Sequence, residues 1–126
     1  MDKNKNYILV AEDEESMCNL IKFKLEAEGF EVDIAIDGLT AFNKLQENNY
    51  GALILDLMLP QLDGMQILKK IAEEKIDLPV MILSAKSQEK DILSGLGSGA
   101  DDYLTKPFRP AELIVRLKKM LEQKYA

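Results

Sequence analysis

Apolar runs recur at intervals along the chain as YILVA, VDIAI, ALIL, PVMIL and DYLT, ending at Ala11, Ile36, Leu55, Leu83 and Thr105. Between them the apolar residues return at helical spacing. Met17, Leu20, Ile21 and Leu25 share one face, and Leu39, Phe42 and Leu45 a second. Met65 to Ala72 make a third helix, and Leu113, Ile114, Leu117, Met120 and Leu121 the last. Asp63 stands where an N-cap belongs, and Pro110 opens the final helix at a first-turn position that tolerates it. The fourth helix is the weak one. Ile92, Leu93 and Leu96 give it a stripe, but Gly95, Gly97 and Gly99 would each cost about 1 kcal/mol relative to Ala. It should be short, ending near Leu96, and mobile. The string GLGSGA lacks GxGxxG spacing and precedes a strand rather than following one, so it reads as a helix stop, not a nucleotide loop.

Strand and helix thus alternate five times, the pattern of an α/β fold with a doubly wound five-stranded parallel sheet. Right-handed crossovers leave two common strand orders for such a sheet. In the order 2-1-3-4-5, the flavodoxin-like arrangement, the first and third strands are neighbours, and open α/β sheets put their sites at the carboxyl ends of the strands. Each of the five runs ends in a polar residue able to do chemistry, among them Glu12 and Asp13, Asp56, Ser84, and Lys106. In that order all of them share one crevice.

Three carboxylates brought close together repel, so either a pKa rises or a cation binds. A hard divalent cation such as Mg2+ suits oxygen ligands and is typically held by one or two carboxylates plus phosphate oxygens. Asp13 and Asp56 would ligate it directly, with Glu12 holding a coordinated water. An ammonium and a hydroxyl, Lys106 and Ser84, match the oxygens of a phosphoryl group. Asp56, the acid ending the central strand, is the natural nucleophile for an acyl phosphate.

Composition narrows this reading. The 126 residues suit a single domain, 1–126, in which folding buries roughly two thirds of the unfolded surface. A net charge of −6 argues against direct nucleic acid binding, which depends on phosphate neutralisation by Lys and Arg. No apolar stretch approaches the ~20 residues of a membrane span, and the N-terminus carries no signal-peptide core, so a cytoplasmic location is the expectation. Cys18, the single cysteine, reads as an inert packed thiol. There is no histidine, which removes Ser-His-Asp and Cys-His nucleophiles and His-ligated zinc. Any histidine chemistry must come from a partner.

EDE after the first strand, the Asp of LILDLMLPQLDG after the third, Ser-Ala after the fourth and YLTKPF after the fifth resemble the response-regulator receiver domains of two-component signalling, over about residues 6 to 122. The resemblance implies that Asp56 accepts phosphate from a sensor histidine kinase. It implies that Glu12, Asp13 and the main-chain carbonyl of Met58 help bind Mg2+, and that Lys106 and Ser84 sense the phosphoryl group. Tyr103 would be the aromatic switch, swinging inward when Ser84 moves. Met58 and Lys86, each two positions beyond a site residue, would tune the lifetime of the phosphorylated state. The Lys106-Pro107 pair implies a cis peptide. GADDYLTKPF with AEL and Arg116 is similar to receivers of the winged-helix, OmpR/PhoB-like transcriptional regulators, although no winged-helix domain is expected within these residues. That similarity implies a phosphorylation-dependent homodimer on a face containing Asp101, Asp102, Arg109, Glu112 and Arg116, with Asp102 meeting Arg116 and Glu112 meeting a basic residue of the fourth helix. Ile92 and Gly97 stand where charges are usual, so the dimer should be weak. Two rivals fit less well. A haloacid-dehalogenase-like phosphatase would need a second acid where Met58 stands, and a flavodoxin-like carrier would set its phosphate against Glu12, Asp13, Glu14 and Glu15.

Overall fold

The computed structural model describes residues 4–126. Five strands alternate with five helices: β1 Asn4–Ala11, α1 Glu15–Ala27, β2 Glu31–Ala35, α2 Gly38–Glu47, β3 Tyr50–Asp56, α3 Gly64–Glu73, β4 Val80–Ser84, α4 Glu89–Gly97, β5 Asp102–Thr105 and α5 Pro110–Tyr125. The strands are all parallel and lie in the order β2-β1-β3-β4-β5, the flavodoxin-like order expected. Ala11 pairs with Leu55, Asp56 with Leu83, and Ser84 with Thr105, so the ends of four strands stand level on one edge of the sheet.

Alternate residues of each strand point to opposite faces and feed two separate apolar layers. Leu9, Ala11, Leu53, Leu55 and Ile82 meet Ala41 and Leu45 of α2 and Ile67, Leu68 and Ile71 of α3. Ile8, Val10, Ile54, Met81 and Leu83 meet Ile21 and Leu25 of α1 and Leu113, Leu117 and Met120 of α5. With both faces covered, every residue of β3 is buried.

Two of the helix starts are capped by the side chain that stands before them. Asp63 accepts from the Gln66 backbone N–H at 3.0 Å, capping α3 as read from the sequence, and Asp37 caps α2 through Thr40 N–H at 2.7 Å. Each satisfies a donor that the helix itself leaves unpaired. Pro110 occupies the first turn of α5. No helix among the described residues is long and apolar enough to cross a membrane.

The helix faces differ in detail from the spacing of large residues. Leu20 and Leu39 are exposed, while Cys18 and Ala41 are buried in their helices. Small residues are chosen where a helix lies close against the sheet, and a reading weighted to large side chains rotates the face by one position. Ile36 lies beyond the end of β2 and is exposed. Helix α4 runs to Gly97, one residue past the expected stop, but Leu93 and Leu96 face outward and Gly95 is its one buried position.

Asp33 on edge strand β2 accepts hydrogen bonds from Tyr50 at 2.6 Å and from Lys44 at 3.1 Å. Burial alone would raise its pKa, but these bonds and the Lys44 charge hold the carboxyl below its usual range. A depressed folded value means that this contribution to stability is present above the unfolded pKa of about 3.9 and is lost as pH falls through the folded one.

Candidate functional site

The site grows out of the level strand ends. Backbone pairing continues one step past the strands: Glu12 N–H donates to Ala35 O at 3.0 Å, and Lys106 N–H to Ser84 O at 2.8 Å. These bonds fix where Glu12 and Lys106 leave the sheet. The Lys106-Pro107 peptide is cis, as the sequence led us to expect.

Lys106 turns its ammonium into the crevice, donating to Glu12 Oε1 at 2.7 Å and Asp56 Oδ2 at 2.9 Å. The second oxygen of each acid takes a backbone N–H: Asp56 Oδ1 from Met58 at 2.8 Å, Glu12 Oε2 from Glu14 at 3.0 Å. Glu12 is 1% and Asp56 5% exposed, whereas Asp13 is open to solvent. Carboxylate oxygens of Glu12, Asp13 and Asp56 lie within 4.8 Å of one another, a grouping that could hold a metal ion.

The electrostatics follow from this crowding. Burial raises the Glu12 pKa and the Asp56 charge adds to the rise, while Lys106 and the Glu14 N–H pull it back. Burial opposes the Lys106 charge, but hydrogen bonds to Glu12 and Asp56 outweigh it and lift the ammonium above its ordinary pKa. Three carboxylates against one ammonium leave two negative charges when all are ionised, which suits a divalent cation with oxygen ligands.

Ser84 is fully buried at the end of β4, and its Oγ accepts from Lys86 N–H at 3.0 Å. The Tyr103 ring lies inward, and its hydroxyl donates to Lys86 O at 2.7 Å. Both polar groups of the Lys86 backbone are therefore engaged by residues named from the sequence. The side chains of Met58, 62% exposed, and Lys86 are open to solvent.

The residues expected on the dimer face divide. Arg116 donates to Asp102 at 2.8 Å and to Glu112, one turn back on α5, at 3.1 Å, so within the chain Glu112 is paired on its own helix rather than to α4. Asp101 accepts from Val80 N–H at 2.8 Å and so holds the start of β4. Arg109 is exposed just before α5. Cys18 donates to Glu12 O at 3.1 Å, and burial pushes its thiol up to about 11, in keeping with an inert packed residue.

Two residues that the sequence reading passed over hold the loop carrying Met58. Gly38 N–H donates to Pro60 O, and a Cβ on Gly38 would stand 1.6 Å from Leu62 O. Gly64 N–H donates to Leu57 O, and a Cβ there would come within 2.6 Å of Leu57 Cα and 2.9 Å of Asp56 O. The signal was present as a repeated Asp-Gly, at 37–38 and 63–64, in which the acid caps a helix and the glycine lets another backbone approach.

Comparison with known proteins agrees with this geometry. The sequence profile of the response regulator receiver domain matches residues 8–118. The transcriptional regulatory protein SrrA of Staphylococcus aureus is 43% identical over 118 residues, covering 94% of this chain and 48% of that protein. The chain thus spans about half the length of that relative. The receiver domain of a Francisella response regulator superposes with a TM-score of 0.91 at 40% identity, covering 94% of this chain and 98% of the other. The receiver domain of a Pseudomonas aeruginosa sensor histidine kinase, solved with a magnesium ion coordinated in its active-site cleft, gives 0.85 at 30% identity over 93% and 98%.

Proposed function

The chain belongs to the response regulator receiver domain family, and from that premise we propose that Asp56 accepts a phosphoryl group from a sensor histidine kinase and that the change is read on the face formed by α4, β5 and α5. The observation that carries this reading is the convergence of Glu12, Asp13, Asp56 and Lys106 on one sheet edge. As a receiver the chain is a phosphoacceptor, a switch whose output is a surface rather than a released product. The donor's phosphohistidine is the partner's, since this chain has no histidine. Output at the level of transcription, with residues 1–126 as a receiver domain within a longer protein, is supported by the similarity to SrrA. A cytoplasmic setting suits that role.

The residues present fit Mg2+. Asp13, Asp56 and the main-chain carbonyl of Met58 would hold it, with Glu12 acting through a water. Bound there, it would neutralise charge on the transferring phosphoryl oxygens. Lys106 supplies the ammonium for one phosphoryl oxygen and Ser84 a hydroxyl for another. To do so Ser84 Oγ must give up the Lys86 N–H, and because the Tyr103 hydroxyl bonds the carbonyl of that same residue, the loop's movement reaches the ring.

Incubation with Mg2+ and acetyl phosphate should add one phosphoryl group, seen as a single mass shift that hydroxylamine removes and a chelator prevents. No uptake under these conditions would overturn the proposal. Asp13→Asn should abolish Mg2+ binding and phosphorylation while leaving the metal-free protein as stable or more so, because it relieves repulsion. A large loss of metal-free stability in thermal melts would count against the metal reading.

Met58 and Lys86 are placed to flank the approach to Asp56; the apolar Met58 cannot orient a water, and the Lys86 ammonium cannot accept its proton. Met58→Asn with Lys86→Glu should therefore speed loss of the phosphoryl group by at least about tenfold, or ~1.4 kcal/mol off the barrier, at little cost in Mg2+ affinity. An unchanged rate means that these side chains do not govern the lifetime. The dimer on the α4-β5-α5 face should be weak and appear with phosphorylation, since Arg116 must share Asp102 and Glu112 with a second copy. Sedimentation with and without a phosphoryl analogue reads this, and a tight dimer without one refutes it.

A further inference from the structure

We propose that Gly95 is a positioning residue for Tyr103: the side chain missing from α4 is the space that the inward tyrosine ring needs, so this position sets how firmly the ring is held. The inference rests on the reading of Tyr103 as the switch residue.

Glycine inside a helix weakens it relative to alanine, so a buried helical glycine calls for a contact that explains it. The three glycines at the end of α4 and beyond differ in this respect. A Cβ on Gly97 or Gly99 would meet nothing within 4 Å, and Gly99, at φ +110°, is the residue that turns the chain away. A Cβ on Gly95 would lie 2.7 Å from Ile82 Cδ1 and 3.0 Å from both Cδ2 and Cε2 of Tyr103.

The two neighbours do not yield equally. The Ile82 methyl is the end of a flexible side chain and can turn aside. The Tyr103 ring is rigid and fixed at both ends. Its backbone is paired with Ile82 in the β4-β5 ladder, and its hydroxyl is bonded to Lys86 O at 2.7 Å. A methyl group at 95 therefore displaces the ring, lengthens the bond to Lys86 and loosens the segment whose N–H holds Ser84 Oγ. Glycine at 95 favours the inward ring at the expense of helix stability.

The test uses the full chain labelled with fluorotyrosine, whose four tyrosines give separable 19F resonances. Tyr103→Phe identifies the Tyr103 signal. In the unaltered protein that signal should shift little between H2O and D2O, because the ring is buried. In Gly95→Ala the solvent shift should grow at least severalfold, and the response of the signal to beryllofluoride with Mg2+ should shrink. Gly97→Ala adds the same methyl group two residues along the helix where nothing meets it, and should behave as the unaltered chain does. A Tyr103 signal in Gly95→Ala with the unaltered solvent shift overturns the proposal. Should Gly95→Ala fail to fold, the same substitution in a Tyr103→Ala background decides: recovery of a cooperative melt supports the proposal, and continued failure overturns it, since the ring was then not what needed the space. The switch reading fails separately. If Tyr103→Phe and Tyr103→Ala leave the beryllofluoride response of the α4-β5-α5 face unchanged, Tyr103 is not the switch, whatever the solvent shift shows of Gly95.

Discussion

Asp56→Asn should fold and melt much as the unaltered chain does, yet lose at least about a hundredfold in the rate of phosphoryl uptake, equivalent to ~2.7 kcal/mol on the barrier. The asparagine keeps an oxygen to accept the Met58 N–H now bonded to Asp56 Oδ1. What it lacks is the second anionic oxygen that attacks phosphorus. Neither neighbouring acid should take over. Glu12, 1% exposed, is more deeply withdrawn than Asp56 at 5% and stands past the end of β1, not on the central strand. Asp13 is reachable but lies off the central strand, and among the described residues no ammonium is bonded to it to steady a phosphoryl group. Intact-mass measurement after acetyl phosphate treatment reads the result. Full uptake by Asp56→Asn would mean that the nucleophile is another acid.

Why the sequence revealed some of this and not the rest comes down to which interactions are periodic. The strands and their edge were legible because covered parallel strands produce apolar runs, and the residue after each run stands at the edge wherever the sheet is parallel. Asp56 and Lys106 could thus be brought together from 50 positions apart without coordinates. Helix faces were legible only to within a position. Leu20, Leu39, Leu93 and Leu96 all fit an apolar stripe and all face outward, since a stripe shows spacing but not how closely the helix approaches the sheet. Close approach is recorded in small residues, and these carry no hydrophobic signal. That is why Gly38 and Gly64 were passed over and Gly95 was read as a mere weakness of α4. Hydrogen bonds to main-chain groups are hidden for a similar reason. The sequence could single out Ser84 and Tyr103, but not that both would fasten on Lys86, because the backbone they bind is the same for every residue type.

Removal of the Lys106 charge should produce the largest change in stability. Its ammonium lies 2.7 Å from Glu12 and 2.9 Å from Asp56, two acids almost wholly withdrawn from water. Lys106→Met keeps most of the stem but leaves these carboxylates facing each other unpaired. Breaking a buried pair from one side costs about 3 to 5 kcal/mol, and the lysine side chain, 20% exposed, places the expected loss near the lower end, about 3 kcal/mol. For a domain of this size that corresponds to a fall of roughly 10 °C in melting temperature. Two features distinguish this from lost packing. Millimolar Mg2+ should stabilise Lys106→Met by more than it stabilises the unaltered chain, because a divalent cation can neutralise the same carboxylates, whereas a packing defect would leave that increment unchanged. Glu12→Gln should cost less in the Lys106→Met background than alone, with a coupling of about 1 to 3 kcal/mol between the two positions. A loss below about 1 kcal/mol in chelator, or additive effects of the two substitutions, would mean that Lys106 does not hold the acidic edge together in the resting protein.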